Sequence, residues 1–343
     1  MIKAHFDYKI LICGTGSIGK RHTRNLRTLG IQHLAVFDPN EQQRKEIAAE
    51  IDCDDCGDYE EALSTMKPDI VFVCSPTKYH VTQAMAAAKA GAHLFIEKPL
   101  NHTMDGISEL QKEVQNRNLT CMVGCNMRFH HGPSTVKRLL NEGVIGAPKR
   151  SEIAVAFNFT GRPDFENKVE NYSKSYNADP EQGGATRECV HEIDLALWYF
   201  GSGVLSSAEI EMASRIQLPD VDGTADLVLQ HENGAVSNVH LSFMDPEYKR
   251  YCKIEGAEGS IAWSISDNVV KVYDAAQNEV ASYPQPDGYE FALAYIAQTE
   301  HFLDCVAHGT KPMGSLDDAI RALKIALDAL ENAKIKEVSG VTT

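Results

Sequence analysis

Short apolar runs alternate with stretches of helical spacing through the first third of the chain. Residues 10–13 form an apolar run, a helix-like segment follows, and a second apolar run ends at Asp38. Beyond it the spacing predicts helices over 41–50, 59–66, 80–90 and 104–117, and strands over 69–74, 92–96 and 119–124. Residues 69–74, DIVFVC, are continuously apolar rather than alternating, as a strand covered on both faces requires. Five strands with helical crossovers predict an α/β domain with a doubly wound parallel sheet.

The texture changes after residue 126. Residues 134–142 read as a helix and 149–159 as an alternating strand. A polar, aromatic stretch over 160–182 is too long and irregular for a simple connection, and such loops are often functional. A helix is predicted over 186–200, ended by Gly201. Strands follow over 207–216, 224–232, 235–243, 250–256, 260–264 and 269–274, joined by turn signals such as Glu232-Asn233-Gly234 and Glu258-Gly259. Helices over 290–307 and 316–333 close the chain. The expectation is a Rossmann domain over 1–126 and an α+β domain over 127–343. The latter carries an open, mostly antiparallel sheet with helices on one face, and serves substrate binding and oligomerisation. The C-terminal helix is a candidate to pack back on the first domain.

Where the first apolar run ends, Gly14, Gly16 and Gly19 stand at G-x-G-x-x-G spacing, with Ser17 and Ile18 inside the motif. Strand, glycine loop, helix, strand and acid together suit a dinucleotide. Gly14 permits the tight turn, Gly16 lets backbone approach a pyrophosphate, and Gly19 lets the helix pack closely. The helix N-terminus offers free N–H groups to the phosphates. Asp38 is placed to accept hydrogen bonds from ribose hydroxyls and to repel a 2′-phosphate, which favours NAD over NADP. Pro39-Asn40-Glu41 bring no offsetting cation, although Arg44 and Lys45 lie close enough along the next helix to reach back. Asp38 also reads as an N-cap of that helix.

Length and composition narrow the rest. At 343 residues the chain suits two domains, and 43% hydrophobic with 24% charged residues is ordinary for a globular protein. A net charge of −15 argues against a nucleic-acid partner. No apolar run approaches bilayer length and the N-terminus lacks the apolar core of a signal peptide, so the expectation is a cytoplasmic protein with no membrane partner. Nine scattered cysteines fit free thiols in a reducing compartment. Cys53 and Cys56 form an isolated C-x-x-C whose intervening residues, Asp54 and Asp55, raise thiol pKa. With no further ligands nearby it reads as a loop, and no metal site is expected.

The strand over 92–96 runs into Glu97-Lys98-Pro99. Ligands of a doubly wound sheet sit at the carboxyl ends of its strands, and Pro99 restricts Lys98 to an extended backbone, so Lys98 is a candidate at the cofactor crevice. The glycine loop, CSPTKYH from Cys74, EKP from Glu97 and GCNMRF from Gly124 form a succession that resembles the Gfo/Idh/MocA oxidoreductases, such as glucose–fructose oxidoreductase and inositol dehydrogenase. The resemblance covers nearly the whole chain. It implies that Lys98 lies beside nicotinamide and substrate as a donor or proton-relay partner. It also implies that Ser75, Pro76 and His80 line the nicotinamide side, that Glu97 and Asn126 join the cofactor site, and that Asn126 and Arg128 border the substrate.

A second signature is Gly183-Gly184 followed by Ala185-Thr186-Arg187-Glu188-Cys189-Val190-His191-Glu192-Ile193-Asp194. His191 matches the family's catalytic histidine, and its ordinary pKa suits taking a proton from a hydroxyl. The family aspartate is absent. Arg187 stands four residues before His191 and Glu188 three before, and either offset faces His191 across a helical turn. Glu188 is the candidate replacement, to orient His191 or accept a substrate hydroxyl. Arg187 is a cation able to hold a carboxylate or phosphate, and Asp194 either faces the site or supports the helix. Together with Tyr172 and Tyr176, this variant resembles members that act on nucleotide-linked sugars of bacterial surface polysaccharides; those tyrosines also fit a subunit interface. The resemblance implies an NAD-dependent dehydrogenase or reductase of a sugar, nucleotide sugar or cyclitol, assembled as a homodimer or homotetramer. The alternative is a non-catalytic dinucleotide sensor of the same fold.

Overall fold

The computed structural model describes residues 7–162, 165 and 168–336, and the chain divides into two units. One unit holds the residues up to Phe129 together with Glu290–Ile320; the other holds His130–Tyr289 and the residues from Arg321 on. Glu290–Ile320, expected in the second domain, thus groups with the first.

The first unit is built on β1 (Lys9–Cys13), β2 (His33–Phe37), β3 (Asp54–Cys56), β4 (Ile70–Val73), β5 (His93–Ile96) and β6 (Cys121–Val123). Among the described residues these six strands are all parallel, in the order β3-β2-β1-β4-β5-β6. The crossovers are α1 (Ser17–Thr28), α2 (Glu41–Ile51), α3 (Tyr59–Met66), α4 (His80–Lys89) and α5 (Ile107–Asn116). β3 is the strand the sequence did not announce. Its residues, Asp-Asp-Cys, sit on the sheet edge with a single neighbour, so backbone pairing makes it a strand without an apolar pattern. The C-x-x-C therefore spans this edge rather than a loop, with both thiols free. Burial first, then acidic neighbours, raise both, Cys53 to about 11.

One face of this sheet is sealed by α1 and by α10 (Ala292–His308), through Leu26, Phe302, Leu303 and Val306 against Ile10, Ile12, Phe72 and Phe95. Phe72 and Phe95 stack at 4.5 Å, and Phe302 meets both edge-on at 5.7 and 5.5 Å. The segment before α11 (Leu316–Asn332) closes the β6 edge, Val123 N–H donating to the Gly314 carbonyl at 2.8 Å.

The second unit carries a nine-stranded sheet among the described residues. Its strands are β7 (Pro148–Asn158), β8 (Gly203–Ala213), β9 (Leu218–His231), β10 (Val236–Ser242), β11 (Met244–Gly256), β12 (Gly259–Ser264), β13 (Val269–Asp274), β14 (Glu279–Pro284) and β15 (Lys334–Ile335). The order is β14-β13-β12-β11-β7-β10-β9-β8-β15, antiparallel except for β7 with β10 and β8 with β15. Helices α6 (His131–Asn141) and α9 (Val190–Phe200) cover one face, over Ile153, Val239, Leu241, Cys252 and Ile261. β14 is another exposed edge strand without the apolar alternation that would predict it.

Two expected elements differ. The helix expected over 186–200 is broken at Cys189, whose ψ of 26° interrupts the helical path, giving α8 (Ala185–Glu188) before α9. The stretch over 160–182 holds α7 (Val169–Tyr172) and a helical turn at Tyr176–Ala178. Its residues 163, 164, 166 and 167 lie outside the described residues, as do 1–6 and 337–343. No described helix is long and apolar enough to cross a membrane.

His130, at the start of α6, is buried against Trp263 and Tyr289 at ring distances of 5.5 and 5.3 Å. Burial, then the charge of Arg250, lowers its pKa to about 4. The unfolded chain therefore binds more protons than the folded one between about pH 6.5 and about 4, and stability falls as pH drops through that window. His80, His93, His231 and His301 are lowered in the same direction by burial. His130→Gln, which can still accept from Gly132 N–H, is expected to flatten the decline. Urea midpoints across the window check this; an unchanged slope would contradict it.

Candidate active site

The loop between β1 and α1 is shaped by close backbone approach. Gly14 has φ +100°, and a Cβ there would lie 2.6 Å from the Cys74 carbonyl carbon and the Ser75 nitrogen. A Cβ on Gly19 would lie 1.9 Å from the Gly14 carbonyl oxygen. Gly16 is different: its φ of −63° suits any residue, and a Cβ there meets no atom within 4 Å. Open space faces Gly16 at the start of α1, where no side chain caps the helix N–H groups. The Thr15 hydroxyl in the same loop is buried with no hydrogen-bond partner among the described residues. An uncapped helix N-terminus, an orphaned hydroxyl and room for a close backbone approach fit a pyrophosphate.

Asp38 follows β2. One carboxylate oxygen accepts the Thr15 N–H at 2.7 Å and the other the Asn40 N–H at 2.8 Å. These bonds fix the carboxylate against the glycine loop, and each oxygen keeps a lone pair for a ribose hydroxyl. The helix N-cap is Asn40, accepting from Gln43 N–H at 3.1 Å, so Asp38 is not the cap. Arg44 is buried, ion-paired with Asp55, and donates to the Asp38 carbonyl at 2.9 Å. Lys45 pairs with Glu41 on the helix surface. Arg44 is thus held in place rather than reaching back toward the ribose.

β5 delivers Glu97, Lys98 and Pro99 to the carboxyl edge. Glu97 turns into the core: one oxygen meets His22 Nε2 at 2.7 Å and the other accepts the Lys98 N–H at 3.2 Å. Lys98 is half-buried. On its other side, the Pro99 carbonyl accepts from His80 Nδ1 at 2.9 Å, while His80 Nε2 contacts the Ser75 carbonyl at 2.8 Å. His80 is fully enclosed between these carbonyls, and burial lowers its pKa while the two carbonyls oppose that shift. Ser75 Oγ donates to Gln83 at 2.6 Å, and Pro76 is exposed. Asn126 is buried with its amide nitrogen unpartnered, and Gln298 on α10 accepts the Cys125 and Asn126 N–H groups at 3.1 and 3.2 Å. Arg128, expected to border the substrate, is 3% exposed and ion-paired with Asp318 of α11 at 3.3 Å.

In the second unit, Asp222 of β9 organises α8. One oxygen accepts both the N–H and the hydroxyl of Thr186 at 2.7 Å. The other would lie 1.9 Å from a Cβ on Gly184, so glycine is required there. Burial pushes the Asp222 carboxyl upward and the Thr186 bonds oppose it. Glu188 accepts from the Tyr176 hydroxyl at 3.1 Å. Arg187, half-buried, donates to the Gly183 carbonyl at 3.1 Å, and burial lowers its pKa. His191 is buried in the first turn of α9. Behind it, fully buried Glu192 pairs with Arg250 of β11 at 2.8 Å. A cavity of about 460 Å³ opens among Phe157, Asn158, Arg162, Glu188, Tyr248 and Arg250. Tyr172 packs at 6.4 Å from both Phe159 and Phe165 in the aromatic core, and Asp194 is buried in α9, so neither lines that cavity.

Sequence reading missed His22, Asp222, Gln298 and the Arg250–Glu192 pair. His22 had a signal, an ionisable residue on the buried stripe of α1 three positions after Gly19. The partners of Asp222 and Arg250 come from distant elements and leave no local trace.

Residues 8–125 match a family model described as the GFO_IDH_MocA oxidoreductase family, NAD-binding Rossmann fold, and residues 134–262 match the GFO/IDH/MocA C-terminal domain. The scyllo-inositol 2-dehydrogenase (NAD(+)) of Bacillus subtilis is 25% identical over 336 residues, 93% of this chain and 92% of that enzyme. A levoglucosan dehydrogenase solved with NADH and levoglucosan superposes with TM-score 0.83 at 20% identity, covering 94% of this chain and 96% of that one. A UDP-N-acetylglucosamine 3-dehydrogenase of Acidithiobacillus ferrooxidans gives TM-score 0.77 at 22% identity, over 95% and 98%. These structural likenesses bear on the fold.

With Asp38 fixed against the glycine loop and Arg44 paired elsewhere, NAD(H) is expected to bind at least about tenfold more tightly than NADP(H), roughly 1.4 kcal/mol. Asp38→Ser is expected to narrow the gap. Fluorescence titration with both reduced cofactors measures it; tighter NADPH binding would contradict the assignment.

Proposed function

This chain belongs to the GFO/IDH/MocA oxidoreductase family, and from that premise we propose that it is an NAD-dependent dehydrogenase or reductase acting at a CH–OH carbon of a sugar, nucleotide sugar or cyclitol. The observation that carries the reading is Lys98, half-buried at the carboxyl edge of the parallel sheet with its backbone held on both sides. Bound NAD supplies the hydride acceptor or donor. Lys98 donates to the oxygen on the reacting carbon and stabilises its developing charge. His191 takes the hydroxyl proton in oxidation and returns it in reduction. Glu188, held by Tyr176, orients a substrate hydroxyl beside the cavity walled by Arg162 and Arg250. The non-catalytic alternative has no comparable support, since the similar proteins named above are dehydrogenases.

We also propose that the enzyme is a cytoplasmic homo-oligomer. Nine free thiols suit a reducing compartment. The sheet face turned away from α6 and α9 presents half-exposed Tyr251, His240 and Val236 among charged neighbours, a surface that a second copy can cover. Sedimentation at micromolar concentration is expected to give a dimer or tetramer; a monomer would refute this part.

Lys98→Ala and His191→Ala are each expected to lower turnover by about 10² to 10⁴, the usual contribution of a positioned acid–base group, with NADH affinity nearly unchanged. Cyclitols, anhydrosugars and nucleotide sugars supplied with NAD, followed by NADH absorbance, make the test. Parental turnover in both variants would remove the catalytic assignment.

A further inference from the structure

His22 and Glu97 form an ionisable pair inside an otherwise apolar setting. His22 is wholly enclosed, its ring 4.9 Å from Phe95, 5.4 Å from Phe72 and 6.3 Å from Tyr295. Its Nε2 meets Glu97 at 2.7 Å, and its Nδ1 has no hydrogen-bond partner among the described residues. Glu97 is 5% exposed. Burying two ionisable groups is a poor way to gain stability, because apolar residues of similar volume often do as well or better. The aromatic surround would suit such residues. Gly124, just after β6, also makes room for the carboxylate: a Cβ there would lie 2.9 Å from the Glu97 oxygen.

The second oxygen of Glu97 shows what the pair does. It accepts the N–H of Lys98 at 3.2 Å, so His22, Glu97 and Lys98 form one line from α1 to the sheet edge. We propose that His22 and Glu97 are positioning residues for Lys98: His22 locks the Glu97 carboxylate, and the carboxylate fixes the backbone from which the Lys98 side chain projects. This rests on the reading of Lys98 as the donor at the reacting carbon. His80 acts from the opposite side through the Pro99 carbonyl, so Lys98 stands between two buried histidines. A shift of about 1 Å in such a group can cost about 10² in rate.

The decisive variant is His22→Leu combined with Glu97→Met, which replaces the pair by apolar residues. It is expected to melt at or above the parent temperature and to bind NADH within about threefold of the parent, a difference of well under 1 kcal/mol. Acetylation of Lys98 by acetic anhydride at neutral pH, read by peptide mass spectrometry against exposed Lys89, is expected to rise, because a side chain no longer held in one place spends more time in water. Turnover is expected to fall about 10²-fold, in kcat rather than in KM for NAD. His22→Gln, which keeps an N–H toward Glu97, should recover turnover to within about threefold, since the hydrogen bond survives. If the double variant does not fold, Glu97→Gln is measured the same way. Lys98 acetylation and kcat both at parental values in a folded variant would overturn the proposal. Labelling needs no substrate. Parental turnover in Lys98→Ala would sink the functional reading while leaving the labelling result to judge the positioning.

Discussion

Backbone meets backbone at the carboxyl edge of the parallel sheet, and the rest of the dinucleotide half depends on that contact. Gly14 lies so close to the Cys74–Ser75 peptide, and Gly19 so close to the Gly14 carbonyl, that no side chain fits at either position. Because the loop is pulled in, Asp38 can reach the Thr15 N–H at 2.7 Å. The same inward pull leaves the start of α1 uncapped. An alanine at either glycine would push the helix from the strand and lose the phosphate seat and the acid together.

In both units buried polar groups hold the candidate site residues or their neighbours. His22 and Glu97 hold the backbone of Lys98, and His80 ties the Ser75 and Pro99 carbonyls. Asp222 fixes Thr186 at the start of α8, and Glu192 pairs with Arg250 beside the cavity. Each costs desolvation, which the hydrogen bond or ion pair to the group it holds offsets in part.

Much of this was legible in the chain. The glycine spacing, the apolar run over 69–74 and the acid at 38 are local signals, and the structure places them as expected. Edge strands were not legible: β3 is Asp-Asp-Cys and β14 is mostly exposed, so backbone pairing rather than side-chain pattern makes them. The break at Cys189 was also hidden, because the apolar spacing runs unbroken from α8 into α9. Arg44 and Arg128 looked available for ligands in sequence. Their partners Asp55 and Asp318 lie 11 and 190 residues away, and only the fold reveals the pairing. His22 sat in plain view on the buried stripe of a predicted helix.

The central claim is that the first turn of α1 seats the pyrophosphate of NAD, and Gly16 allows it to be isolated. Its backbone suits any residue and a Cβ there meets nothing within 4 Å, so Gly16→Val should fold and melt like the parent. Fluorescence titration with NADH should nevertheless show binding weakened by at least about 10²-fold, some 3 kcal/mol, as the branched side chain fills the space a phosphate needs. NADH bound by Gly16→Val as tightly as by the parent would mean the cofactor sits elsewhere.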